Sequence, residues 1–119
     1  MTAEDQPPAD TTARPSHLAD ADALDAFVAD HDVALVEFYT EGCSKCAAME
    51  PVLGNVARAT DVAVGLVNPR DDPVLVERFE VASVPLLVVF VDGDPVARRA
   101  EGFQGTDAVV SFVDANRPA

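Results

Sequence analysis

Seven residues, Val33 to Tyr39, form an apolar, β-branched run that ends just before Cys43-Ser44-Lys45-Cys46. A run of that length and type reads as a strand covered on both faces, so helices must lie on either side of a sheet. The stripe that follows, Cys46, Met49, Leu53 and Val56, has helical spacing and predicts a helix opening at the cysteines. The first thiol then falls at the helix N-terminus. Unpaired N–H groups and partial positive charge there favour a thiolate over a thiol. Pro51 sits inside the same helix, removes one backbone hydrogen bond and is expected to kink it.

Around this junction the remaining elements follow from periodicity. Leu24, Phe27 and Val28 are spaced as one face of a helix beginning near Asp20 or Asp22, either of which is a suitable cap. Val62 to Val67 predicts a second strand, and residues 68–73 a loop. Pro73 is well placed to open a short helix reaching Phe79. Leu86 to Val91 predicts a third buried strand, and Asp92-Gly93 a hairpin into a strand from Val96 to Glu101. Arg98 and Arg99 suit a sheet edge that must not pair with other chains. Thr106 is expected to cap a last helix with Val109, Phe112 and Val113 inward. Strands separated by helices imply parallel pairing, with the closing hairpin adding an antiparallel edge. Residues 1–16 lack apolar periodicity and read as a flexible, acidic, Pro-rich tail ahead of one domain over 17–119.

Composition narrows the partners. Acidic residues outnumber basic ones 21 to 8, a formal charge of −13. Nucleic acid and anionic membrane both reward basic patches, so neither is an expected partner. No apolar run approaches the roughly 20 residues of a membrane span, and the N-terminus lacks a secretory pattern. These features predict a cytoplasmic protein. The only lysine is Lys45, inside the cysteine motif. An acid-rich, lysine-poor composition resembles that of proteins from salt-in halophiles such as haloarchaea. There, molar salt shortens the Debye length to ~3 Å and screens surface carboxylates.

The two cysteines are the only ones in the chain. In a reducing compartment a lone CxxC points to redox or metal chemistry rather than a staple. A disulfide across so short a loop would stabilise little. A zinc site needs about four ligands, and His17 and His31 lie far away in sequence. Thiol–disulfide exchange is therefore the leading expectation. Two inert core cysteines, a binding module whose cysteines never turn over, and a metal site shared between two chains stay open.

The element order, with a CxxC after the first long strand, resembles the thioredoxin family, an α/β fold with a central mixed sheet of four to five strands flanked by helices. Leu35-Val-Glu-Phe-Tyr-Thr-Glu-Gly-Cys43 is similar to the family's strand leading into its active site. Pro51 stands where the family places its kinking proline, and Ser83-Val84-Pro85 resembles its cis-proline loop. Gly93 and Gly102 match later glycines, and His17-Leu18 its short first strand. Four features depart from the family pattern. Gly42 replaces a tryptophan, Ser44-Lys45 replaces Gly-Pro, Leu86 replaces a threonine, and Leu66 stands about where a lysine is often found. These departures bear on substrate range, redox potential and recognition by a reductase.

The resemblance implies a protein-disulfide oxidoreductase with no cofactor or metal beyond a redox-active Cys43–Cys46 disulfide. Cys43 would be the nucleophile and Cys46 the resolving thiol. Glu37, an acid within an apolar strand, would have a raised pKa and relay a proton to or from Cys46. Pro85, in cis, would turn the Val84 backbone toward the dithiol to hold an extended substrate, with Gly42, Gly102 and Phe103 as a lip. Ser44 and Lys45 would tune the pair, Lys45 by stabilising the Cys43 thiolate. Disulfide-containing proteins would be the substrates. A thioredoxin reductase or low-molecular-weight thiol would return the electrons, and a monomer is expected. An oxidant, an isomerase or a dedicated electron donor on the same fold is the alternative.

Overall fold

The computed structural model describes residues 14–118. The elements are β1 (Ser16–Leu18), α1 (Ala21–Ala29), β2 (Val33–Phe38), α2 (Ser44–Ala59) and β3 (Ala63–Val67). A 3-10 turn (Pro69–Asp71), α3 (Val74–Arg78), β4 (Leu86–Val91), β5 (Asp94–Arg99) and α4 (Thr106–Asn116) follow. They build a five-stranded mixed sheet in the order β1-β3-β2-β4-β5, with helices on both faces. Up to residue 13, the segment read as a tail lies outside the described residues. Strand β1 opens at Ser16.

All six residues of β2 are buried, as its apolar run requires of a central strand. Side chains alternate across it. Ala34, Val36 and Phe38 pack with Leu24, Phe27, Leu75, Phe79 and Phe90 under α1 and α3. Val33 and Leu35 pack with Met49, Leu53, Val56, Val109, Phe112 and Val113 under α2 and α4. Asp20 caps α1 by accepting a hydrogen bond from the Ala23 N–H at 2.9 Å. Helix α2 runs on both sides of Pro51.

The pairing of β4 differs from the expected parallel arrangement. β3 is parallel to β1 and β2, but β4 is antiparallel to β2, with Phe38 opposite Leu86 and Val33 opposite Val91. A parallel partner needs a crossover that returns the chain along the full sheet. Between β3 and β4 the only α-helix is the five-residue α3, which rises only about 7.5 Å. The chain therefore re-enters the sheet at the end where β3 left it.

Three local expectations also shift. Thr106 is the first residue of α4 rather than its cap; Gly105 holds the cap position without a side-chain bond. Strand β5 starts at Asp94 and includes Pro95. Its register slips near Val89 and Phe90, leaving Val96 as an extra residue. Pro is tolerated there because β5 is an outer strand with a bulge. Arg98 and Arg99 do more than guard that edge. Arg98 donates to the carbonyls of Phe79 and Glu80, and Arg99 stacks over the Phe112 ring at 4.4 Å.

Candidate active site

Cys43 is the N-cap of α2 and Cys46 lies one turn in. The Cys46 N–H donates to Cys43 Sγ at 3.1 Å, so the sulfur takes the capping role that an oxygen usually plays. The two are joined as a disulfide with Cα atoms 5.2 Å apart. Their environments differ. Cys43 is half-buried at the surface, whereas Cys46 is only 3% exposed. One sulfur is presented to solvent and partners, and the other is sheltered behind it.

Glu37 lies below this pair on β2. Alternation along the strand puts it on the face of Val33 and Leu35, the face covered by the cysteine-bearing helix. It is 1% exposed, and its Oε2 has no hydrogen-bond partner. Burial, with a smaller push from the Glu50 carboxylate, raises its pKa from 4.5 to about 8. Leu66 is its register partner on β3, so the position suited to a neutralising lysine is apolar. The carboxyl is thus held as a largely protonated acid at neutral pH.

One groove opens at the disulfide, and a second shares Thr40 with it. The first, of about 330 Å³, is lined by Gly42, Cys43, Cys46, Thr40, Ala47, His17, Tyr39, Glu41 and Glu50. The fold brings His17 here, edge-on to Tyr39 with ring centroids 6.5 Å apart, although it is remote from the cysteines in sequence. Burial, then the nearby Asp71, Glu41, Glu50 and Glu37 carboxylates, push the Tyr39 phenol upward. The other groove, of about 260 Å³, is lined by Thr40, Pro69, Arg70, Val76 and residues 81–84. The Val84–Pro85 bond is cis, and Pro85 leads into Leu86, the register partner of Phe38. That pairing sets the proline loop at the same end of the sheet as the cysteines.

Ser44 and Lys45 are exposed at the start of α2. Gly102 has a φ of +74°, which favours glycine, and the Lys45 side chain lies across it. A Cβ there would stand 3.5 Å from Lys45 Cδ and 3.6 Å from Nζ. Lys45 therefore covers the Gly102 loop rather than only reaching into solvent. Phe103 beside it is 53% exposed. Gly42 has a φ of +83° and open space around it. Among the expected site residues, Gly42, Cys43 and Cys46 share one groove, Val84 lines the other, and Lys45 meets Gly102. Glu37 lines neither groove. The sequence reading missed His17, Glu50 and Arg70 as groove residues, because only the fold brings them to the cysteines.

A solvent-facing sulfur paired with a buried one at a helix N-terminus defines a dithiol–disulfide exchange site. The comparisons agree. The family model for thioredoxin matches residues 16–115. Thioredoxin of Chlamydia caviae is 31% identical over 98 residues, covering 82% of this chain and 94% of that protein. Thioredoxin of Mycobacterium bovis is 33% identical over 95 residues, covering 78% and 81%. A mutant thioredoxin from Halobacterium salinarum NRC-1 superposes with a TM-score of 0.85 at 29% identity, covering 94% of this chain and 98% of that one. The chain belongs to the thioredoxin family and is a thiol–disulfide oxidoreductase. Members of the family act on disulfide substrates, are served by a reductase and need no cofactor beyond the redox-active disulfide. Among the described residues, no helix is long and apolar enough to cross a membrane.

Proposed function

We propose that this protein reduces disulfides of partner proteins, with Cys43 as nucleophile and Cys46 as resolving thiol. The observation that carries the assignment is the exposure difference across the pair, with Cys43 at the surface and Cys46 3% exposed. In the reduced state the helix N-terminus stabilises the Cys43 thiolate. That thiolate attacks one sulfur of the substrate disulfide; a mixed disulfide forms and one substrate thiolate leaves. Cys46 then gives up its proton and attacks Cys43 Sγ, closing the Cys43–Cys46 disulfide and releasing the second substrate thiolate. The carboxylate form of Glu37, the minor one at neutral pH, accepts the Cys46 proton, and its raised pKa makes it a stronger base than an ordinary carboxylate; its burial and its place on the sheet face beneath α2 support the role. The backbone of Val84, next to the cis bond, aligns an extended substrate strand, with Gly42 and Gly102 leaving room for it.

Ser44 and Lys45 tune the pair. A thioredoxin reductase or a low-molecular-weight thiol returns two electrons. The protein works as a monomer in the cytoplasm and in high salt; the excess of 21 acids over 8 bases and the likeness to a Halobacterium salinarum thioredoxin support that setting.

Trapping tests the division of roles. Cys46→Ser, mixed with a disulfide-containing protein, should accumulate a mixed disulfide through Cys43 that mass spectrometry detects, and Cys43→Ser should accumulate none. The reverse pattern would overturn the assignment.

A further inference from the structure

Eight basic side chains serve a chain of net charge −13, and the fold commits five of them. Arg78 pairs with Asp25 at 2.7 Å and Arg117 with Asp61 at 3.0 Å. Arg58 donates to Asn55, Arg98 to two carbonyls, and Arg99 to Gln104. Arg14, Lys45 and Arg70 have no side-chain hydrogen bond or ion pair among the described residues. Arg70 is the one that lines a groove, the one joined to the dithiol groove through Thr40.

That groove has an apolar wall of Val76, Val81 and Ala82, with Val76 left 41% exposed. Val84, the residue proposed to align the substrate strand, forms its other side. Among the described residues, Arg70 is the only charged one lining it. Neither of the two acids that follow Arg70 lines the groove. Asp72 accepts hydrogen bonds from the Ala21 and Val74 N–H groups. The groove lined by Cys43 carries Glu41 and Glu50 instead. The groove at the disulfide is thus acidic, and the one that adjoins it through Thr40 is cationic and apolar.

We infer that Arg70 and the Val76–Val84 groove form a specificity subsite that takes an apolar residue and an adjacent carboxylate of the partner protein, within a few residues of its reacting cysteine. The inference rests on the exchange reaction proposed above and adds which partners are preferred. Charge complementarity selects the occupant. A carboxylate gains an ion pair with Arg70, whereas a basic segment there meets the only cation of the groove and forfeits the apolar wall.

Matched disulfide-linked peptide dimers test this, differing only in Glu against Gln beside an apolar residue close to the cysteine, on either side in turn. Reduced protein is mixed with each, and disulfide formation is followed by acid quench, alkylation and mass in about 0.2 M KCl. Wild type should oxidise on the Glu peptide about three- to tenfold faster than on the Gln peptide, and the ratio should shrink in about 2 M KCl. Arg70→Gln should bring the ratio to about one while the Gln-peptide rate stays within about twofold, because an exposed side chain without partners contributes little to the fold. Arg70→Lys should keep part of the preference and Arg70→Glu should invert it. A ratio near one in wild type, or one unchanged in Arg70→Gln, would overturn the subsite while leaving the exchange reaction intact. No exchange with either peptide would overturn both.

Discussion

The face of the sheet under α1 and α3 and the face under α2 and α4 are both closed by buried aliphatic and aromatic side chains, yet only the second contains a carboxylate. On the first, Phe38, Phe79 and Phe90 stack at centroid distances of 5.1 and 5.9 Å. Nothing on that side asks for chemistry. On the second, Glu37 sits among Leu35, Leu66 and Leu87 with an unpartnered oxygen, beneath the helix that carries the cysteines. A buried polar group without a partner costs about 1–3 kcal/mol. One face thus holds the fold together, and the other gives up stability to keep a proton near the dithiol.

The largest expected effect tests the apolar face. Phe38→Ala removes a side chain with no exposure from one end of the aromatic cluster and should destabilise the protein by about 3–5 kcal/mol in denaturant titration. The reduction potential of the variant, measured under conditions where it is folded, should match wild type. A large shift in potential would show that the two faces are not separable.

Next comes the carboxylate face. The Glu37 pKa is raised from 4.5 to about 8, so the folded protein keeps a proton that the unfolded chain loses across that window. Its contribution is fully present below the lower value and falls away as pH rises through the upper one. Glu37→Leu should therefore be more stable than wild type at alkaline pH, by roughly 1–3 kcal/mol, with a flatter stability profile between these limits. The same variant should slow closure of the Cys43–Cys46 disulfide and lose its pH dependence there. Equal profiles for both proteins would refute the buried-acid account.

The smallest effect sharpens the apolar side again. Gly65 on β3 faces α1, and a Cβ there would lie 2.8 Å from Leu18 Cδ1 and 3.1 Å from Phe27 Cε2. Gly65→Ala should cost roughly 1–2 kcal/mol, because Leu18 sits on the three-residue outer strand and can give way. Thermal unfolding reads this directly. A neutral result would mean that β1 packs more loosely than its contacts imply.

The elements that bury whole side chains were the legible ones. β2, β4, α1, α2 and α4 all follow from runs or stripes of apolar residues, and Glu37 stood out because it interrupts one. β1 is only Ser16-His17-Leu18, too short and polar for periodicity to register, and only the family resemblance pointed to it. The antiparallel entry of β4 depends on how little helix lies in the preceding connection, a distance that alternation of strands and helices does not encode. Thr106 misled because a good capping residue stands one position inside the helix. At the site, the cysteines and the cis-proline loop were recognisable by pattern. Arg70, His17 and Glu50 were not, because groove partners meet only through the sheet order, and a lone arginine in a polar turn has no distinguishing neighbours.

An equilibrium redox titration of the protein in molar KCl, read by alkylation and mass, tests the exchange reaction most directly. A single two-electron transition between the dithiol and the intramolecular Cys43–Cys46 disulfide is the predicted result. A folded protein that forms no intramolecular disulfide at any redox poise would contradict it.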